Sequence, residues 1–249
     1  MRNLRHRVLL FCLFLLLIGV GRGYSLNLGE IETKVRQQVR DTGTGTSLQR
    51  YSDTVLDGFI NEGMRDVVNQ TGCLDQIYNI TLVANTTFYA LPSDFIAIQF
   101  ARFKDVSNNT YNLEEKNERS FRQSNPDWQR QTGKPVNYFT RTSTSAETNE
   151  LALYPIPSTA THLGTIIVDY VSQTSDMVSD SDEPFDGLDS MNPYHNVLVD
   201  YATARIKLIE GRTDEGNAYG QLYISGITTI AAKFGQKPNW SPSFSGATK

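Results

Sequence analysis

The spacing of apolar residues changes twice along this chain, from helical to alternating and back, and that double change excludes any uniform repeat or single-class fold. From Leu28 the spacing is helical. Leu28, Ile31, Val35 and Val39 recur at three- or four-residue intervals, with Glu30 and Glu32 early and Arg36 and Arg40 late, as the helix dipole favours. This helix ends near Asp41, and the Gly/Thr stretch Thr42 to Thr46 makes a loop with no preceding strand from which to cradle a phosphate. Ser52 or Asp53 then caps a second helix with an apolar stripe of Val55, Leu56, Phe59, Ile60, Met64, Val67 and Val68, stopped by Gly72. Two amphipathic helices on a short loop form a hairpin, and the stripe is assigned to an intramolecular core.

After Gly72 the period is two. Ile77–Val83, Thr86–Leu91, Phe95–Phe103, Tyr111–Leu113, Val136–Thr142, Leu151–Tyr154 and Thr165–Val171 are β-branched or aromatic runs between turn signals, which predicts an antiparallel sheet or small sandwich. The polar insert Glu114 to Arg130 has helical composition, anchored by Phe121 and Trp128. Asp176 to Asp189 is acidic but lacks the ligand spacing of a calcium loop, so it reads as a solvated connector. Helical spacing returns with Tyr194, Val197, Leu198, Tyr201, Ala202, Ile206 and Ile209. A last helix, Glu215 to Phe234, is read with Ala218, Leu222, Tyr223, Ile227, Ile230 and Ala231 inward. The tail from Gly235 has no period and is either disordered or a docking peptide around Trp240 and Phe244. The expected fold is α+β: an N-terminal helical hairpin and a C-terminal helix pair form a bundle, with an antiparallel β-rich, sandwich-like region inserted. The expected divisions are an apolar segment 1–24, the hairpin 25–72, the β insertion 73–175, the acidic loop 176–190, the helix pair 191–234 and the tail 235–249.

With 249 residues the chain can bury a full core in one or two domains. A net charge of -4 has the wrong sign for grasping nucleic acid through its phosphates, though it is compatible with lining a conduit through which DNA slides. Compartment signals conflict. Arg2, Arg5 and Arg7 precede the uncharged run Val8 to Val20, and Gly21 and Gly23 give small residues at signal-peptidase spacing before Tyr24, which reads as a secretory signal. Yet the folded part holds one thiol, Cys73, because Cys12 lies inside the apolar run, and secreted domains usually pair their cysteines. A start codon assigned too early and an apolar arm buried against a partner are the other readings of the same run. It is short for a membrane span of roughly 20 apolar residues.

Chemistry is sparse. None of His6, His162 and His195 falls in a metal frame, no serine sits in a nucleophile elbow, and Gly133-Lys134 is followed by Pro135 where a phosphate loop needs a hydroxyl. His195 reads as a helix-face residue and Cys73 as inert, since no cation flanks it. No cofactor, metal or enzymatic activity is assigned.

The order of helical hairpin, β-rich insertion and helix pair resembles the head-to-tail adaptor (connector, or head-completion) proteins of tailed bacteriophages. Local phrases strengthen the resemblance. Tyr51-Ser-Asp-Thr-Val-Leu with Phe59-Ile-Asn-Glu-Gly-Met-Arg-Asp is similar to the family's early helix, and Tyr89-Ala-Leu-Pro-Ser-Asp-Phe to its hairpin. Leu151-Ala-Leu-Tyr-Pro-Ile-Pro resembles a strand ending, and His195-Asn-Val-Leu-Val-Asp-Tyr-Ala-Thr-Ala-Arg the late helix. The resemblance implies a dodecameric ring beneath the portal, helices packed between subunits, the β insertion outside or towards the tail, and no catalytic residues. Its implied partners are copies of itself, the portal and a tail or nozzle protein, with DNA passing through the channel without sequence-specific binding. It also implies a virion location at the head-tail junction, after assembly in the host cytoplasm.

Asp200, Tyr201 and Arg205 are the interface candidates on the late helix, because charged groups on a mostly apolar helix form subunit contacts or paired networks. Trp240 and Phe244 are the candidates in the tail. The competing reading is a secreted or envelope-associated β-rich binding module, with Trp128, Tyr138, Tyr154 and Trp240 as stacking platforms for a glycan.

Overall fold

The computed structural model describes residues 25–43, 49–143, 148–234 and 243–244. The run Val8 to Val20, Cys12, His6 and the tail candidate Trp240 lie outside the described residues. In chain order the elements are α1 (Leu28–Val39), α2 (Asp53–Thr71), β1 (Asp75–Thr81), β2 (Phe88–Ala90), β3 (Phe95–Asp105), β4 (Thr110–Asn112) and β5 (Glu114–Glu115). There follow α3 (Glu118–Ser124), β6 (Asn137–Thr142), β7 (Asn149–Tyr154), β8 (Gly164–Ser172), α4 (Asn196–Ile209) and α5 (Thr213–Phe234). This is the α+β mixture that the double change of period predicts. The chain divides into two units: residues 1–63, 176–226 and 243–249 form one, residues 64–175 and 227–242 the other.

In the first unit, α1 opens on a reciprocal cap. The Glu30 N–H donates to the Asn27 side chain at 2.9 Å, and the Asn27 N–H donates to the Glu30 carboxylate at 3.1 Å. Leu28, Ile31, Val35 and Val39 are all buried, as their spacing requires. The turn after α1 is held by charge. Arg36 donates to buried Asp41 at 3.1 Å and to the Tyr51 carbonyl at 2.9 Å, while Arg50 and the Tyr51 hydroxyl both donate to Glu210 beyond the end of α4, at 2.7 and 3.1 Å.

Most of the stripe residues assigned on α2 and α4 are buried, and the departures lie at one end of each stripe. Val55 and Ile209 are exposed, because Leu56 and Ile60 on α2 and Tyr201, Ala202 and Ile206 on α4 set the buried sectors. On α5 Tyr223, Ile227, Ile230 and Ala231 are buried as assigned and Gly216 and Gly220 are buried with them, while Ala218 and Leu222 face solvent. Close approach is the cause: a Cβ at Gly216 would lie 2.7 Å from Leu208, and one at Gly220 would lie 3.0 Å from Phe244. Apolarity was therefore a poor guide where neighbours leave no room for a side chain.

The acidic stretch is more firmly tied than a solvated connector. The N–H groups of Leu28 and Gly29, orphan donors at the start of α1, donate to the carbonyls of Asp182 at 2.9 Å and Asp180 at 3.1 Å. Asn61 on α2 mimics a peptide, donating to the Met177 carbonyl and accepting the Met177 N–H, both at 2.9 Å. Met177 and Phe185 are buried, so the stretch is anchored while most of its acids remain in water.

In the second unit, β1, β8, β3 and β4 form one sheet in that order, and β2, β7, β6 and β5 form the other. All pairings are antiparallel except β5 with β6. Ile80, Phe103, Ile166 and Val168 from the first sheet share one apolar cluster with Tyr89, Tyr138, Leu151 and Leu153 from the second, which makes the pair a sandwich. A smaller cluster joins Phe121 and Trp128 to Phe139 and Ala152, so the polar insert is indeed anchored by its two aromatics. That insert is mixed in structure, with β5, α3 and a 3₁₀ turn at Trp128–Arg130 in place of one helix.

Candidate functional site

The ordinary places for chemistry are closed. Among the described residues no group of three or more His, Cys, Asp or Glu could hold a metal, and no helix is long and apolar enough to cross a membrane. The Cys73 thiol is buried and free, and burial pushes it up to about 11, the opposite of what a nucleophile needs. His195, 1% exposed at the start of α4, has its Nδ1 within 3.1 Å of the backbone of Leu26. Burial lowers its pKa, so the ring is a neutral structural clamp. An open groove of about 1070 Å³ beside α1 is lined by Asn27, Thr33, Lys34, Asp180 and Asn196 among others.

What converges instead is packing. The phrase on α2 and the phrase on α4 meet residue by residue. Tyr201 sits over Gly63, where a Cβ would be 2.8 Å from the ring, and Arg205 pairs with Glu62 at 3.4 Å while its guanidinium lies 6.0 Å from the Phe59 ring. Phe244 then closes over the pair of tyrosines. Its ring meets Tyr201 at 5.5 Å and Tyr223 at 5.8 Å, both edge-on in character, and Tyr201 and Tyr223 meet at 5.0 Å. Of the five interface candidates, Tyr201 and Phe244 thus come together inside the first unit, with Tyr201 only 1% exposed. Arg205 has an internal partner, and Trp240 is outside the described residues.

Asp200 is the exception. It lies half-buried on α4 between Val199 and Tyr201, both buried, and no hydrogen bond or ion pair reaches it from a described residue. Burial alone holds its carboxyl up to about 6, with no cation to offset the cost. Val197, Leu198, Tyr201 and Ala202 of the same phrase are buried in intramolecular packing.

Sequence reading missed Glu32 and Asp57. Glu32 is 8% exposed, and the signal was present: it stands four residues after Leu28 and seven before Val39, on the apolar side of α1. Asp57 touches it from α2, and nothing in the sequence aligns the two helices closely enough to have shown that.

Comparison with family models matches the SU10 adaptor protein over residues 26–244. A search of curated proteins finds no match. The matched span starts at Leu26, the residue clamped by His195, and stops at Phe244, the residue that caps Tyr201 and Tyr223.

Proposed function

The chain belongs to the SU10 adaptor protein family, and from that premise we propose that it forms a dodecameric ring beneath the portal, joins the filled head to the tail and leaves a channel for DNA. The family places the protein among structural adaptors of bacteriophages, with portal and tail components as its partners and the virion as its location. The ring, the channel and a purely structural, non-enzymatic role are our reading.

The match over nearly the whole folded chain carries that reading. Asp200 supports it: a half-buried carboxylate without a counter-charge is costly in a monomer and is relieved if a neighbouring subunit brings an Arg, a Lys or a hydrogen-bond donor to it. Arg205, further along α4, has an internal partner in Glu62. A net charge of -4 is compatible with a channel through which DNA slides.

Purified full-length protein mixed with its portal tests the proposal by mass photometry. A complex whose mass adds a whole ring of adaptor to the portal is the expected result, with an interface above the ~1,000 Å² of a specific contact. A chain that stays monomeric at every portal concentration would remove the proposal. The secreted binding-module reading keeps no specific support: Trp128, Tyr138 and Tyr154 serve the sandwich and its satellite cluster, and Trp128 and Tyr138 are buried.

A further inference from the structure

Glu32 of α1 and Asp57 of α2 face each other without a donor between them. Glu32 is 8% exposed, one oxygen of Asp57 is buried with no hydrogen-bond partner, and no described N–H or O–H group donates to either carboxyl. Two ionised carboxylates are disfavoured in such a place, since Glu32 would be buried without a counter-charge beside an Asp57 oxygen that has no donor. The cation one turn away does not help, because Arg36 is committed to Asp41, Asp53 and the Tyr51 carbonyl. A proton is therefore the missing partner: carried by Glu32, it makes an O–H that donates to the orphaned Asp57 oxygen.

The surroundings make that proton matter for the shape of the first unit. The charged groups facing Glu32 are Asp57 and Asp53 from α2 and Asp180 from the acidic loop, and all three are acids. Asp180 lies directly over Gly29, one turn before Glu32 on the same side of α1, where a Cβ would come within 3.1 Å of its side chain. Through its own carbonyl and that of Asp182, the same loop caps the first N–H groups of α1. The loop is held by those two backbone bonds, the Asn61 contact and the buried side chains of Met177, Pro184 and Phe185, among other contacts.

We propose that Glu32 and Asp57 share one proton in the folded protein and that this proton latches the loop Asp176 to Asp189 onto the N-terminal end of α1. Losing it sets Glu32 against Asp57, Asp53 and Asp180 and loosens the loop, which opens the groove lined by Gly29, Asp180 and Asn196. The inference concerns the protein's own fold and does not depend on ring formation. Burial first, then Asp57, Asp53 and Asp180, hold the Glu32 carboxyl up to about 8 from an ordinary 4.5. A raised acid stabilises the closed state fully below its open-state value and loses that contribution as pH rises through the closed-state one, so loosening develops between about 4.5 and 8.

Amide hydrogen exchange of the full-length protein, corrected for the intrinsic rate at each pH, reads the latch at Leu28 and Gly29. In the wild type, protection of those two amides should fall by up to about tenfold per pH unit between pH 5.5 and 7.5. Glu32→Gln supplies a permanent donor to Asp57, so its protection should stay level over that range. Should Glu32→Gln fail to fold, Asp57→Asn places the donor on the other side and should give the same level profile. Unchanged protection in the wild type, or an equal fall in a folded variant, would overturn the proposal.

Discussion

The Phe244 ring stands edge-on to Tyr201, centroids 5.5 Å apart and planes at 86°, so the last residue of the family match is packed against the middle of α4. Gly220 makes the seat, because a Cβ there would come within 3.0 Å of Phe244. Phe244→Ala should therefore lower stability by about 1–2 kcal/mol, as expected for a partly exposed aromatic that loses ring contacts. Gly220→Ala should cost a similar amount in the wild type and much less in the Phe244→Ala background, since the clash disappears with the ring. Denaturant titration of the two single variants and the double variant checks the coupling. Additive losses would show that Phe244 does not sit on Gly220.

Gly63 lies under Tyr201 with less room still, 2.8 Å to the ring carbon and 2.9 Å to the next. Gly63→Ala should destabilise the chain by roughly 1–3 kcal/mol through overpacking, in spite of alanine's better helix propensity. Thermal denaturation decides, with a melting temperature several degrees lower as the expected outcome. A rise would mean that α2 and α4 can move apart at no cost.

For Asp200 the sign of the pH dependence is definite. Its carboxyl is raised to about 6 from 3.8, so the isolated chain loses stability as pH rises through that interval. Asp200→Asn should be equal to the wild type near pH 4 and more stable above pH 6, by on the order of 2 kcal/mol before solvent screening reduces it. In the presence of the portal the order should reverse, with the variant forming fewer complete rings. Melting curves from pH 4 to 7, with mass photometry beside them, separate the two effects.

Arg205→Ala removes a pair with Glu62 whose partner side chain is 39% exposed, and so should cost the monomer no more than about 1 kcal/mol. Its effect on assembly should be larger. Normal ring yield from the variant would leave Arg205 with only its internal role.

Much of this architecture was legible because period is a local property. Leu28, Ile31, Val35 and Val39 could be assigned to one face from their spacing alone, and each β run between Ile77 and Val171 became a strand within a few residues of its expected limits. What failed was anything set by a neighbour distant in sequence. Gly216 and Gly220 point inward because Leu208 and Phe244 approach them, and no helical-wheel argument places a glycine in a core. The Glu32 carboxyl is raised first by burial and then by Asp57 across a helix pair, a neighbour invisible until both helices are aligned. Tyr201 drew notice as part of a phrase on α4, yet its burial follows from Gly63, Tyr223 and Phe244, three residues in three other segments.

The central claim, a ring at the head-tail junction, is tested most directly by electron microscopy of purified particles combined with mass spectrometry of their proteins. The account predicts that the chain is present in particles in a whole-ring ratio to the portal, with density for the α-helical unit and the sandwich repeated around the channel directly beneath it. Particles that carry a complete tail and lack this chain, or that hold it anywhere other than against the portal, would contradict it.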